Sequence, residues 1–366
     1  MQNKPDNDHC SIRLKVVVVH PSLNKHTGGI VKAGLSYVEG LLAAGHDVKV
    51  WTASNIFADG ARAAGAKTVL EPSLRSMVSI LTSPRVFLKF LNDCSSADGV
   101  IHNNGRLWPI ARLHRKSNHY VVFHNPSIGS RGHFRRWMPI SQAQVEKLEP
   151  ERTKRPWVKS LDRIRNGISS DAWRPLPEIL HRQESRLVIG FLAEIRPQKA
   201  LEVLLDAAKI LEEEGYSFLL RIGGDGQNLQ DYKDHASKLG LTSSIEWTGW
   251  VPEPSKFFDD IDIFCLPSRR EGFPLVLLEA MARRTPVVAS RIDGSTELVE
   301  NSNGGLLFEK DDSKSLAEKL VRLLQDPDLR HNLASNGYSY VSNDFRPTNI
   351  GVQLAKVIRA HRSECR

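Results

Sequence analysis

Twice along the chain a short, almost wholly apolar run opens a train of alternating strand-like and helix-like segments. The first is LKVVVVH (14–20) and the second RLVIGFLAEI (186–195). A strand apolar on both faces needs cover on both sides, which in short alternating segments means a parallel sheet with helices above and below. After the first run, the Gly-bearing loop PSLNKHTGG leads into IVKAGLSYVEGLLAAG, which has helical periodicity and stops at a glycine, and then into the strand DVKVWTA (47–53). GVIHNN and YVVFHN (120–125) are predicted strands, SQAQVEKL a helix start and RIRNGIS a short strand. The second train runs ALEVLLDAAKILEEEG (helix), SFLLRIGGDG (strand), NLQDYKDHASKLG (helix), SIEWTGWV and IDIFCLP (strands), LVLLEAMARR (helix) and TPVVAS (strand). Two consecutive β/α trains predict an α/β protein of two Rossmann-like, doubly wound domains facing across a cleft, with the cleft as the ligand site. The Pro-bearing stretch SSDAWRPLPEILHRQES (169–185) is the predicted linker, following a first domain of 1–168.

At 366 residues the chain exceeds what one compact core usually holds, in keeping with two domains. No apolar run reaches the ~18 residues needed to span a bilayer. The opening MQNKPDNDHCSIRLK is polar where a secretory signal is apolar, so a cytoplasmic location is expected. Cys10, Cys94, Cys265 and Cys365 are scattered without a C-x-x-C, which argues against a zinc site or a disulfide framework, and Cys265 is expected in the core. Residues 1–170 hold half of the 50 Lys and Arg but less than a third of the 42 Asp and Glu. This basic first half is suited to something anionic: a nucleic acid, a membrane surface or a phosphorylated substrate. No aromatic-interleaved RNA motif, recognition-helix pattern or zinc finger accompanies it, so no nucleic-acid partner is expected. Basic residues beside aromatic and aliphatic ones in RLHRKSNHY (112–120), RGHFRRWMP (131–139) and SMVSILTSPRVFLKFL (76–91) point instead to an anionic inner membrane face, with peripheral attachment.

The most informative stretch is PSRREGFPLVLLEAMARRTPVVASRIDGSTELVE (267–300). With a helix beginning near Leu275, Glu271 lies on the loop entering it and Glu279 about one turn inside, so both carboxylates flank a helix N-terminus. Anions favour that place. Together with RNGIS, RPQKALEVLLDA, RIGGDG, EWTGWV and NGGLLF, in this order between Arg165 and Phe308, the stretch resembles the retaining glycosyltransferases of family 4, with their two-Rossmann GT-B architecture and E-x7-E motif. GGI, GHDVKVWT and VVFHN give a looser likeness in the first half.

The resemblance implies a retaining, metal-independent hexosyltransferase. A nucleoside-diphosphate sugar would be its co-substrate, with no further cofactor, and its acceptor hydroxyl would belong to a lipid-linked or cell-surface saccharide, as in lipopolysaccharide or capsule synthesis. It implies an acceptor-binding domain at 1–168, a nucleotide-sugar domain at 186–345 and a final helix (346–366) returning to the first. A departing nucleoside diphosphate builds negative charge, so catalysis needs donors and cations aimed at it. Backbone N–H groups around Phe273, Leu275 and Val276 would supply part, with Gly272 and Pro274 among the donor-binding residues of the same turn. Lys199 would supply the main cation, with Arg196 assisting. Glu194 stands where the family has a second phosphate-binding arginine, so Arg196 is a candidate substitute from a shifted position. Glu279 would hold the ribose, Glu271 the sugar hydroxyls, and His124 the sugar through its 6-hydroxyl. Gly28 and Gly29 fit a loop whose backbone approaches a phosphate or the acceptor. No residue stands out as a covalent nucleophile, so the acceptor attacks on the leaving-group face with the departing phosphate as base. The alternatives are a nucleotide-sugar epimerase of the same fold and a transferase acting on a small soluble acceptor. A glycosidase carboxylate pair is disfavoured by the anion site beside it. The D-x-D within DDID (259–262) is read as a decoy for a metal site, and GGDG (223–226) lacks a full dinucleotide fingerprint.

Overall fold

The structure, a computed structural model, describes residues 12–21, 28–75, 80–103, 107–113, 118–124, 128–168, 170–173 and 186–362. It divides into two compact units, one of residues 1–140, 144–167 and 347–366, the other of 141–143 and 168–346. Each is a parallel-sheet α/β domain, so the two Rossmann-like folds read from the sequence are present.

The N-terminal unit is built on seven strands: β1 (Lys15–His20), β2 (Asp47–Thr52), β3 (Lys67–Leu70), β4 (Gly99–His102), β5 (Asn118–Phe123), β6 (Arg136–Pro139) and β7 (Ser160–Leu161), in the order β3-β2-β1-β4-β5-β6-β7. The valine run is the central strand. Val16 pairs with Val48 on one side and Gly99 on the other, which is why the run is apolar throughout. The order reverses between β1 and β4, so the loops leaving their carboxyl ends diverge and open a crevice there. The predicted strand at RIRNGIS is absent. β7 ends at Leu161, and Asn166 instead receives the buried Tyr37 hydroxyl, which ties the segment to the helix Gly29–Ala43.

The final helix, Pro347–His361, belongs to this unit. It crosses the helix Gly29–Ala43 backbone to backbone, since a Cβ on Gly351 would overlap the Gly40 carbonyl and one on Gly40 the Pro347 carbonyl. Asn118 Nδ2 donates to the His361 carbonyl at 2.7 Å and closes its far end.

The C-terminal unit has six strands: β8 (Leu187–Leu192), β9 (Phe218–Gly223), β10 (Ile245–Gly249), β11 (Ile263–Leu266), β12 (Val287–Ser290) and β13 (Gly305–Phe308), in the order β10-β9-β8-β11-β12-β13. Its switch point lies between β8 and β11, which pair through Ile189 and Ile263. Cys265 is buried in this core, and Cys94 in that of the N-terminal unit. Cys10 and Cys365 lie outside the described residues.

One reading of the charged segments is corrected. In RGHFRRWMP, Phe134 and Trp137 are core residues and Arg136 is only 2% exposed. Arg136 Nε donates to Asn118 Oδ1 at 2.9 Å and its guanidinium lies over the Tyr120 ring. A buried cation needs such partners, so these residues stabilise the sheet and do not form a membrane-facing surface. In RLHRKSNHY the side chains of 112–117 lie outside the described residues, as do residues 76–79 of the third segment and, of the linker, residue 169 and residues 174–185. Residues 170–173 form a single 3-10 turn.

Candidate active site

In the C-terminal unit the switch point determines which loops meet. The loop after β8 carries Glu194, Arg196 and Lys199, and the loop after β11 carries Ser268 to Pro274. Lys199 Nζ donates to Glu271 Oε1 at 2.6 Å, and Ser268 Oγ donates to the same oxygen at 2.7 Å. Both ends of the ion pair are mostly buried. Ala200, next to Lys199, adopts left-handed backbone (φ 51°), a conformation uncommon for alanine and mildly strained. It ends the short turn Pro197–Lys199 and starts the helix Leu201–Glu213.

Two residues absent from the sequence reading hold these loops together. Arg269 contacts Glu202 and Asp311 at 2.6 Å each, and its Nη1 donates to the Pro197 carbonyl at 2.8 Å. Its backbone N–H meets the Gln198 carbonyl at 2.9 Å, while Gln198 Nε2 donates to the Arg270 carbonyl at 2.7 Å. Arg269 thus fastens the turn that presents Lys199 to the loop that presents Glu271. Its one-letter context, PSRRE, gives no sign of which arginine faces inward. Ser290 completes the support, its hydroxyl donating to the Ser268 carbonyl.

The helix starts at Leu275, as its sequence indicates, and runs to Ala282 with no side chain capping its N-terminus. Its first N–H groups are therefore not engaged by a capping side chain. Glu279 sits one turn in and is buried. Phe273 is buried against Phe345 with ring centroids 5.8 Å apart, which fixes the peptide preceding the helix. A Cβ on Gly294 would lie 2.8 Å from the Gly272 carbonyl oxygen, so the next helix also presses on this peptide. Arg196 is half exposed and lies 3.5 Å from Glu194, with which it forms a loose surface pair.

In DDID, Asp259 pairs with the buried Arg283 at 2.6 Å and Asp262 accepts from the Val188 N–H at 2.8 Å, while Asp260, the first aspartate of the D-x-D, is exposed and lies 4.0 Å from Arg221. In GGDG, Cβ atoms on Gly224 and Gly226 would overlap the carbonyls of Ala193 and Ile195, so these glycines admit the loop after β8.

In the N-terminal unit the end of β1 brings His20 to Asn103, just past β4, and Asn103 to His124, just past β5. Asn103 Nδ2 lies 2.9 Å from His20 Nδ1, and His124 Nε2 lies 2.6 Å from Asn103 Oδ1. His20 is stacked on Phe57 with centroids 4.3 Å apart. Burial, followed by the Arg131 and His20 charges, holds the His124 pKa down to about 3. Gly28 and Gly29 stand at the N-terminus of the helix Gly29–Ala43, which also lacks a capping side chain. Gly28 has φ −83°, open to any residue, and among the described residues a Cβ on either glycine would meet nothing within 4 Å. None of the described residues therefore requires glycine at these two positions.

Residues 175–340 match the family model described as glycosyl transferases group 1. A capsular polysaccharide biosynthesis glycosyltransferase of Staphylococcus aureus, CapM, is 30% identical over 52% of this chain and 51% of its own length. A putative colanic acid biosynthesis glycosyltransferase of Escherichia coli, WcaL, is 31% identical over 54% of this chain and 50% of its own. The chain thus spans about half the length of the curated relatives it matches. Among solved structures, Anabaena HepE in complex with UDP and glucose superposes with a TM-score of 0.77 over 95% of this chain and all of its own, at 18% identity. Over residues 175–340 the chain matches the model of glycosyl transferases group 1, and its fold is shared with GT-B glycosyltransferases.

Proposed function

We propose that the protein is a retaining, metal-independent hexosyltransferase of family 4 that moves a sugar from a nucleoside diphosphate to a hydroxyl of a lipid-linked or cell-surface saccharide. The observation that carries this reading is the meeting of Lys199, Glu271 and an uncapped helix N-terminus at one switch point, inside the matched segment. Such a place suits a diphosphate that gains charge as its bond to the sugar breaks. In this reading Lys199 and the N–H groups of Phe273, Leu275 and Val276 take the diphosphate, with Gly272 and Pro274 shaping the turn. Glu279 takes the ribose, Glu271 the sugar hydroxyls and His124 the sugar's 6-hydroxyl. Arg196 assists from the rim, and Gly28 and Gly29 admit a phosphate or the acceptor. The acceptor hydroxyl attacks on the face the diphosphate leaves and gives its proton to the departing phosphate. Capsule and colanic acid synthesis, named for two relatives, favour a polymeric glycan acceptor.

A cytoplasmic site of action at an anionic membrane face belongs to the same reading. Its support is the helix Pro84–Ser95, where exposed Leu88 lies beside exposed Arg85 and Lys89, with Leu81 exposed just ahead of it. No helix among the described residues is long and apolar enough to cross a membrane.

The test is a panel of sugar nucleotides in buffer containing a chelator, with the anomeric configuration of the released or transferred sugar read by NMR. Retention without added metal is expected. Inversion, or strict dependence on a divalent cation, would refute the mechanism. Epimerised donor formed without acceptor would establish the epimerase instead.

A further inference from the structure

The hydrogen bonds around Asn103 determine the tautomer of His124. A backbone carbonyl can only accept, and Ile30 O lies 2.9 Å from one terminal atom of the Asn103 amide, so that atom is Nδ2. The same Nδ2 faces His20 Nδ1, which accepts. The amide oxygen is left for His124, and the ring nitrogen 2.6 Å from it, Nε2, must carry the hydrogen. In a neutral imidazole with Nε2–H, Nδ1 is an acceptor. We propose that Asn103 is a positioning residue that holds His124 as the Nε2–H tautomer and so presents Nδ1 as the acceptor for a hydroxyl of the transferring sugar. This rests on the reading of His124 as a sugar contact.

The surroundings are built around the amide. Asn103 is buried, and a Cβ on Gly34 would come within 2.5 Å of its Nδ2 and 2.7 Å of the Phe57 ring that stacks on His20. Glycine at 34 is thus required for the amide to reach the Ile30 carbonyl. The groups that bear on the His124 charge are Arg131, whose guanidinium lies over the Phe123 ring, and His20, and both oppose protonation. A neutral ring is also what the chemistry needs, because the sugar gains positive character as its bond to the diphosphate breaks, and an imidazolium beside it would oppose that.

The test is imidazole 15N NMR of the histidine-labelled full chain across pH, with His124 assigned by His124→Gln. The wild type should show Nε2 protonated, Nδ1 bare, and no titration above pH 5. Asn103→Asp should raise the His124 pKa by about two units or more through the added carboxylate. Turnover of UDP-glucose, or of whichever sugar nucleotide is turned over, should fall about twofold or more at pH 5 and recover as His124 deprotonates. If Asn103→Asp does not fold, Gly34→Ala displaces the amide while keeping its chemistry and should leave His124 a mixture of tautomers. A wild-type His124 protonated on Nδ1, or a titration unchanged in Asn103→Asp, would overturn the proposal. Full turnover in His124→Ala, with the tautomer as stated, would overturn the sugar-contact reading beneath it.

Discussion

Lys199 and Glu271, 72 residues apart, share a 2.6 Å ion pair at the carboxyl ends of two neighbouring strands. The pair sets Glu271 against the diphosphate as a partner for the cation assigned to it. A diphosphate must compete with Glu271 for Lys199, and a sugar must then occupy the carboxylate that Lys199 leaves. Glu271→Gln removes the competitor and keeps an acceptor for Ser268. It should tighten free nucleoside diphosphate severalfold, a gain on the order of 1 kcal/mol, while turnover falls. Calorimetric titration and a steady-state assay check both halves. Weaker diphosphate binding with intact turnover would contradict the assignment.

Lys199→Ala removes the principal cation and should lower turnover by ~100-fold or more. Arg196→Ala should cost far less, since Arg196 is half exposed and paired only loosely with Glu194. Comparing kcat for the two variants decides the matter. A larger loss in Arg196→Ala would move the phosphate clamp to the rim of the loop.

Arg269 should be irreplaceable even by lysine. Its fork spans Glu202, Asp311 and the Pro197 carbonyl at once, which a single ammonium cannot do. Arg269→Lys and Arg269→Ala should both lower kcat by about tenfold or more through misplacement of Lys199, with little change in melting temperature. Activity restored by lysine would show that charge alone is used.

The glycines separate structural from ligand-facing roles. Gly351→Ala forces a Cβ into the Gly40 carbonyl and should cost about 2–3 kcal/mol or more in chemical denaturation. Gly28→Ala meets no atom of the described residues and should leave stability unchanged. Any loss of activity in it therefore reports a ligand at that backbone, and unchanged activity would remove Gly28 from the site.

Acidification should destabilise the N-terminal unit. His102 is fully buried and its pKa is pushed down to about 3 by that burial. The unfolded chain takes up a proton near pH 6.5 while the native state does not until about pH 3. The stabilising contribution is thus complete above pH 6.5 and is lost as pH falls through that window. Between pH 6.5 and 5 the loss should be about 1.6 kcal/mol from this group. Urea unfolding at both pH values checks it, and His102→Gln should flatten the dependence.

How much of this could be read in the sequence depended on whether an interaction is local. The valine run, the helix start at Leu275 and the place of Glu279 follow from periodicity, because neighbouring residues decide them. The meeting of Lys199 with Glu271 came only from a family likeness, since nothing local joins positions 72 residues apart. Arg269 and Asn103 escaped notice because their partners, Asp311 for one and Ile30 and His20 for the other, are chosen by sheet order. RGHFRRWMP misled for the opposite reason. Its charges suggest a surface, but the topology places Arg136 between Asn118 and Tyr120.

The most direct measurement is thermal unfolding with nucleoside diphosphates and their sugars, in the wild type and in Glu279→Ala. A ligand at ~100 times its dissociation constant adds about 2.7 kcal/mol, which is readily seen as a rise in melting temperature. At least one sugar nucleotide should stabilise the wild type, and Glu279→Ala should lose most of that rise without melting lower by itself. A panel in which no nucleotide shifts the wild type, or an undiminished shift in Glu279→Ala, would contradict a donor site at the helix Leu275–Ala282.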